Sequence, residues 1–174
     1  MKKFYITTAI DYVNAEPHIG HAFEKVLADA LARWHKLKGE KVFFLTGTDE
    51  NAQKNEQAAC KANISVQKFV DKNSKLFIEL CKKLNVDYDN FIRTTEEKHK
   101  EFCQKVFKKV YDKGEIYKGK YEGYYCIGCE AFITEKDLVD GKFPEHNKEP
   151  KFMSEDAYFF KLSRYKNQII KLIN

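Results

Sequence analysis

The sequence predicts an α/β protein whose first part is a parallel sheet flanked by helices, followed by a small inserted β subdomain. Three observations carry this. Residues 4–10 form a short apolar run that stops at Asp11, residues 19–38 repeat apolar side chains at helical spacing, and Lys41 to Thr46 (KVFFLT) is apolar at nearly every position. A strand too apolar to face water on either side is the kind found in parallel sheets. The order strand, loop, helix, strand is a right-handed βαβ crossover, the core piece of a doubly wound, Rossmann-like fold.

The first strand is bounded by Lys3 and Asp11, and the loop after it carries Asn14, Glu16 and Pro17. In 19–38 the apolar positions Phe23, Val26, Leu27, Ala30, Leu31, Trp34 and Leu37 recur every three or four residues, an amphipathic helix that Gly39 stops. Beyond Asp49 and Glu50 the chain reads as helix over 51–61 and 66–84, the latter with Phe69, Leu76, Phe77, Leu80 and Leu84 in its stripe. Residues 86–92 alternate apolar and polar as a strand does. Thr94 with Glu97 predicts a capping box before a helix holding Phe102, Val106, Phe107 and Val110, which Gly114 ends. Residues 115–125 then alternate Tyr and Gly with Lys and Glu like a β-meander, marking an inserted subdomain around 126–146. Residues 157–162 return as a strand, and Ser163 is placed to cap a last helix running into Asn174. The predicted organisation is therefore 1–114, 115–162 and 163–174.

Composition narrows the class without naming a function. With 43% hydrophobic and 33% charged residues, 8 Gly and 3 Pro, the 174-residue chain is neither disordered nor collagen-like. Its 31 Lys and Arg against 26 Asp and Glu leave a charge of +5, which permits a polyanionic partner without demanding one. No apolar run of about 18 residues is present, so no membrane span is expected. The apolar start is cut short by Asp11 and lacks a small-residue cleavage site, so no signal peptide is expected either. Five cysteines in a Lys-rich chain without such a signal point to reduced thiols and a cytoplasmic location.

The segment richest in chemistry is Pro17, His18, Ile19, Gly20, His21, at the start of the first predicted helix. It puts two imidazoles three residues apart on one face of a helix N-terminus, where free N–H groups and the helix dipole favour negative charge. Gly20 between them lets the backbone approach a ligand closely. Two such histidines suit triphosphate chemistry, donating hydrogen bonds to a phosphate whose charge grows in a transition state. The same string also suits a metal pair or solvated residues that merely begin a helix; the strand before it and the parallel strand after it favour the phosphate reading.

With the strand context in place, the sequence resembles the class I aminoacyl-tRNA synthetases, whose nucleotide-binding motif is His-Ile-Gly-His after the first strand. Within that class it is similar to the methionyl-tRNA synthetases over Tyr5 to His21 (YITTAIDYVNAEPHIGH), Ala28 with Asp29, Ala32 to Trp34, Phe44 to Glu50 (FLTGTDE), Phe91 to Lys98 (FIRTTEEK) and Tyr121 to Cys126 (YEGYYC), a series that spans essentially the whole chain. The resemblance implies the amino-terminal part of an aminoacyl-tRNA ligase: a first Rossmann half over 1–114, a connective-peptide subdomain over 115–162 and a terminal helix over 163–174. It implies that His18 and His21 stabilise the ATP phosphates, that Ile19 and Gly20 share in ATP binding, and that Ile10 and Tyr12 line a methionine pocket. Asp49 matches the acid that holds the methionine ammonium; placed just past the second strand, it could equally be a helix cap. Substrates and partners implied are methionine, ATP with Mg²⁺, tRNA(Met) and a chain supplying the missing carboxy-terminal half, with no membrane. Glu24 and Asp29 divide between a direct role and a solvated or structural one. The sequence departs from the family at Asp11, where an aromatic or proline is usual, and at Asn51-Ala52, where His-Gly is usual.

Cys126 and Cys129 form a C-x-x-C knuckle of the kind that binds Zn²⁺. The family's second half is Cys-Pro-x-His, against Phe143, Pro144, Glu145 and His146 here, so His146 matches a ligand and Phe143 replaces a cysteine. That leaves Cys126, Cys129 and His146 with water or Glu145 as fourth ligand, or else a vestigial knuckle held by packing. Cys60, Cys81 and Cys103 read as core or surface thiols.

Two further readings stand beside the ligase. A HIGH-motif nucleotidylyltransferase is opposed by the cysteine knuckle. A non-catalytic, synthetase-derived module that binds tRNA or a protein partner would use lysine-rich stretches such as Lys98 to Lys113. No Lys-Met-Ser-Lys-Ser loop occurs in the sequence, so the chain by itself is expected to activate methionine poorly or not at all.

Overall fold

The computed structural model describes residues 1–126, 131–134, 138, 142, 144 and 150–173. It divides into two compact units, Met1–Lys100 and Glu101–Asn174. In the first, β1 (Lys3–Tyr12), β2 (Lys41–Asp49) and β3 (Asn90–Arg93) form a sheet in the order β1-β2-β3. Both pairings are parallel. Parallel neighbours need crossovers. Here α1 (Ile19–Leu37) joins β1 to β2, and α2 (Gln53–Lys61) with α3 (Val66–Lys83) join β2 to β3.

Burial follows the pleat. Phe44 and its neighbours Ile6 and Val42 face a cluster built with Ala28 and Ala32 of α1, Cys81 of α3 and Val86. A second cluster joins Val13 to Val70 and Phe77 of α3. On the opposite face Tyr5 and Phe43 stack with ring centroids 5.8 Å apart, 60% and 45% exposed.

The helix over 19–38 forms where expected but turns a different side inward. Lys25, Ala28, Asp29 and Ala32 are its buried residues, while Phe23, Leu27, Leu31 and Trp34 are more than 40% exposed. Close packing explains this. Small alanines let α1 approach the sheet, and the two buried charges are neutralised there: Asp29 accepts the Asp87 N–H at 2.9 Å and Arg33 Nε at 2.6 Å.

The β1–β2 register shifts between Thr7, opposite Leu45, and Ile10, opposite Gly47, so β1 carries one extra residue. Gly47 is required between the strands: a Cβ there would lie 2.1 Å from the Ile92 carbonyl oxygen on β3. Thr94 does not cap the helix that follows. α4 spans Glu97–Asp112, and the Thr94 hydroxyl instead accepts the Glu50 N–H at 2.8 Å.

In the second unit β4 (Ile116–Cys126) pairs antiparallel with β6 (Lys151–Phe160) along its length and with β5 (Ala131–Ile133) at its end, order β5-β4-β6. The Tyr and Gly alternation is thus one long strand rather than a meander. Gly119 and Gly123 make no turn but lie within it, beside the rings of Phe159 and Phe132. A 3-10 turn (Leu162–Tyr165) leads into α5 (Lys166–Ile173).

Candidate active site

The loop leaving β1 brings the chain back at His18, and α1 starts one residue later. His18 Nδ1 accepts the Gly20 N–H at 3.1 Å, and His21 Nδ1 accepts the His18 N–H at 3.1 Å. Each bond satisfies a backbone donor that a helix start leaves open, so the histidines form a reciprocal cap. A neutral imidazole that accepts at Nδ1 carries its proton on Nε2. Both rings therefore present Nε2–H as donors, stacked with centroids 3.8 Å apart. A Cβ on Gly20 would lie 3.0 Å from the His18 ring, so the tight cap restricts that position.

Beside these donors lies a cavity of about 380 Å³. Ile10, Asp11 and Tyr12 at the end of β1 form one wall, residues 14–16 of the loop a second, and His18 and His21 the third. This is the carboxyl end of parallel strands, where α/β folds place their ligands. Burial pushes the His21 imidazole below its ordinary value of 6.5; the Asp11 carboxylate opposes that, while His18 and Lys25 add to it. The net result is a neutral ring, a donor to an anion and not a competing cation.

Asp49 ends β2 directly across from Tyr12 in the parallel register. Its Oδ1 accepts the Asn51 N–H at 3.2 Å, and its carbonyl accepts Asn55 Nδ2 at 3.0 Å. Lys54 Nζ sits 5.1 Å over the Tyr12 ring. The structure thus gathers Ile10, Tyr12, His18 and His21 around one cavity, with Asp49 on the adjoining strand end and Ile19 and Gly20 in the first turn of α1.

Two groups around the site were not singled out from the sequence. Glu50, side chain fully buried, receives Arg93 Nε at 2.6 Å, Arg93 Nη2 at 2.9 Å and the Thr48 hydroxyl at 2.9 Å, with the Thr95 hydroxyl as a further donor. Arg93 also pairs with Asp71 on α3; the hydrogen bond to Glu50 raises the Arg93 guanidinium above its ordinary range, and the hydrogen bond from Arg93 holds the Asp71 carboxyl below its own. Lys25, 1% exposed, pairs with Asp11 at 2.8 Å. Its sequence signal was its phase: Lys25 shares a helix face with Ala28, Asp29 and Ala32, a stripe of small and paired residues.

Of the cysteine knuckle, Cys126 ends β4 and is buried. Cys129, Phe143, Glu145 and His146 lie outside the described residues. Among the described residues no group of three or more His, Cys, Asp or Glu side chains is placed to hold a metal. No described helix is long and apolar enough to cross a membrane.

A three-stranded parallel sheet flanked by helices, with two histidines capping the first helix at the strand ends, is the Rossmann-like arrangement of the class I synthetases. Residues 4–149 match the family model of tRNA synthetases class I (M), and the chain belongs to that family. It is 46% identical over 170 residues to a methionine–tRNA ligase of Caldanaerobacter subterraneus subsp. tengcongensis, and 48% identical over 172 residues to that of Clostridium acetobutylicum. The alignments take in 98% and 99% of this chain but 27% of each relative, so the chain spans about a quarter of their length. Among solved structures, Mycobacterium tuberculosis methionyl-tRNA synthetase in complex with methionyl-adenylate superposes with a TM-score of 0.91 at 39% identity, over 98% of this chain and 34% of that one.

Proposed function

We propose that this chain is the amino-terminal catalytic portion of a methionine–tRNA ligase and acts in the cytoplasm. In the reaction the methionine carboxylate attacks the α-phosphorus of ATP, a P–O bond forms, and the bond to pyrophosphate breaks; a hydroxyl at the 3′ end of tRNA(Met) then takes the methionyl group as the acyl–phosphate bond breaks and AMP leaves. Such catalysis rests on positioning and charge stabilisation and needs no covalent enzyme intermediate.

The observation that carries this reading is the pair of Nε2–H donors at the N-terminus of α1, beside a cavity whose other wall is the end of β1. In it, His18 and His21 donate to the ATP phosphates, with the first-turn backbone at Ile19 and Gly20 alongside. Ile10 and Tyr12 line the pocket for the methionine side chain, and Asp49 holds its ammonium. The methionyl-adenylate in the superposed Mycobacterium tuberculosis structure supports that ligand class. Mg²⁺ enters with ATP as its counter-ion. Cys126, Cys129 and His146 would hold a structural Zn²⁺ in the connective subdomain, with water or Glu145 as fourth ligand; the alternative is a knuckle held by packing alone. Residues 1–114 form the nucleotide-binding half, 115–162 the connective subdomain and 163–174 the terminal helix. The remaining catalytic half comes from a continuation or a second chain.

The test is amino-acid-dependent exchange of pyrophosphate into ATP by this chain joined to the carboxy-terminal portion of the Clostridium acetobutylicum relative. Exchange that depends on methionine and on no other amino acid supports the reading; exchange with a different amino acid, or none, contradicts it.

A further inference from the structure

Lys25 lies in the middle of α1 with 1% of its surface exposed. An ammonium removed from water is costly unless oxygens replace the solvent. Four do so: Asp11 Oδ2 at 2.8 Å, Thr8 Oγ1 at 3.1 Å, the Ala9 carbonyl at 3.2 Å and Glu24 Oε2 at 3.4 Å. Thr8 and Ala9 are the two residues that the shift in the β1–β2 register leaves unmatched. The Ala9 carbonyl goes to Lys25, and its N–H donates to Glu24 Oε1 at 2.8 Å. Adjacent residues of α1 therefore hold the backbone that the ladder gives up.

The next three residues, Ile10, Asp11 and Tyr12, are the strand wall of the cavity. The helix that carries the imidazoles thus also sets that wall. Asp11 links the two, with one carboxylate oxygen on Lys25 and the other 3.9 Å from His21 Nε2. That gap is too long for a hydrogen bond but short for a charge acting in a half-buried site. Alone, the carboxylate would favour an imidazolium; with Lys25 against it, the pair orients the Nε2–H without charging the ring. The groups facing His21 are Asp11 from β1, His18 at the helix cap, and Glu24 and Lys25 from α1, while α3 offers the uncharged edge of Phe77 at 5.1 Å.

We infer, on the reading of this cavity as an adenylate-forming site, that Lys25 is a positioning residue: its buried ammonium pins the bulged end of β1 and balances Asp11 opposite the His21 Nε2–H.

The test needs no turnover. Long-range ¹H–¹⁵N correlations on the 174-residue chain report the His21 tautomer and its titration midpoint. Wild type is expected to show the Nε2–H form and a midpoint below 6.5. Asp11→Asn, which removes the carboxylate charge at nearly the same volume, lowers the midpoint. Lys25→Met raises it and increases hydrogen exchange at the Ala9 amide. Backbone shifts outside 8–12 show that each variant folds, and Asp11→Asn keeps the question answerable if Lys25→Met does not. A midpoint unmoved in both variants, or unmoved in Asp11→Asn where Lys25→Met unfolds, overturns the assignment. Absence of methionine-dependent exchange by the completed enzyme carrying the unsubstituted chain would overturn the functional reading alone, because the titration does not depend on it.

Discussion

His21 Nδ1 accepts the backbone N–H of His18 at 3.1 Å, so a side chain placed to donate to a ligand at one nitrogen closes its own helix with the other. Charging the ring removes that acceptor, and burial already holds the ring below its ordinary 6.5. A base whose folded-state value is lowered binds fewer protons in the folded chain, so stability rises with pH between the folded and unfolded values. The stability difference between wild type and His21→Gln is therefore constant above about pH 6.5 and shrinks as pH falls below it. Urea unfolding at a series of pH values measures this; a difference that grows on acidification contradicts it.

Glu50, fully buried, pairs with Arg93, whose side chain keeps 22% of its surface exposed. Glu50→Gln leaves the guanidinium facing a neutral amide with Asp71 as its remaining carboxylate, and weakening a charged hydrogen bond of this kind costs about 2 kcal/mol. Chemical unfolding of the variant should show a midpoint loss of that size with an unchanged slope. A loss under about 0.5 kcal/mol, the scale of an ordinary surface change, would mean the pair is solvated.

Gly47 on β2 lies opposite Ile92 on β3. Gly47→Ala places a methyl 2.1 Å from the Ile92 carbonyl oxygen and 2.5 Å from Ile92 Cγ2. Backbone cannot yield cheaply, so the variant is expected to lose about 3 kcal/mol or to fail to fold. Thermal melting near the wild-type temperature would contradict the strand spacing.

The orientation of α1 gives a paired expectation. Leu27, 51% exposed, should tolerate Leu27→Gln within about 0.5 kcal/mol. Ala32, fully buried, should lose about 1–3 kcal/mol on enlargement to Leu. The reverse ranking in denaturant unfolding of the 174-residue chain would mean the apolar stripe faces the core after all.

The βαβ start was legible because period and length agree: β1, α1 and β2 fall within a few residues of the apolar segments that predict them. The histidine pair was legible because its chemistry is local to a single turn. The buried face of α1 was not. Hydrophobic periodicity identifies a helix but assumes its apolar side is the inner one, whereas here alanines and two neutralised charges pack inward. The Lys25–Asp11 and Glu50–Arg93 contacts join residues 14 and 43 positions apart, a distance no local pattern encodes. Thr94 shows the same competition, since its hydroxyl takes the Glu50 N–H and leaves the predicted capping box unmade.

The most direct test of the central claim is methionine-dependent pyrophosphate exchange with His21→Ala in the completed enzyme. Loss of transition-state donors of this kind costs on the order of a hundredfold or more. The account predicts a fall of that size with the variant folded; exchange equal to wild type would contradict it.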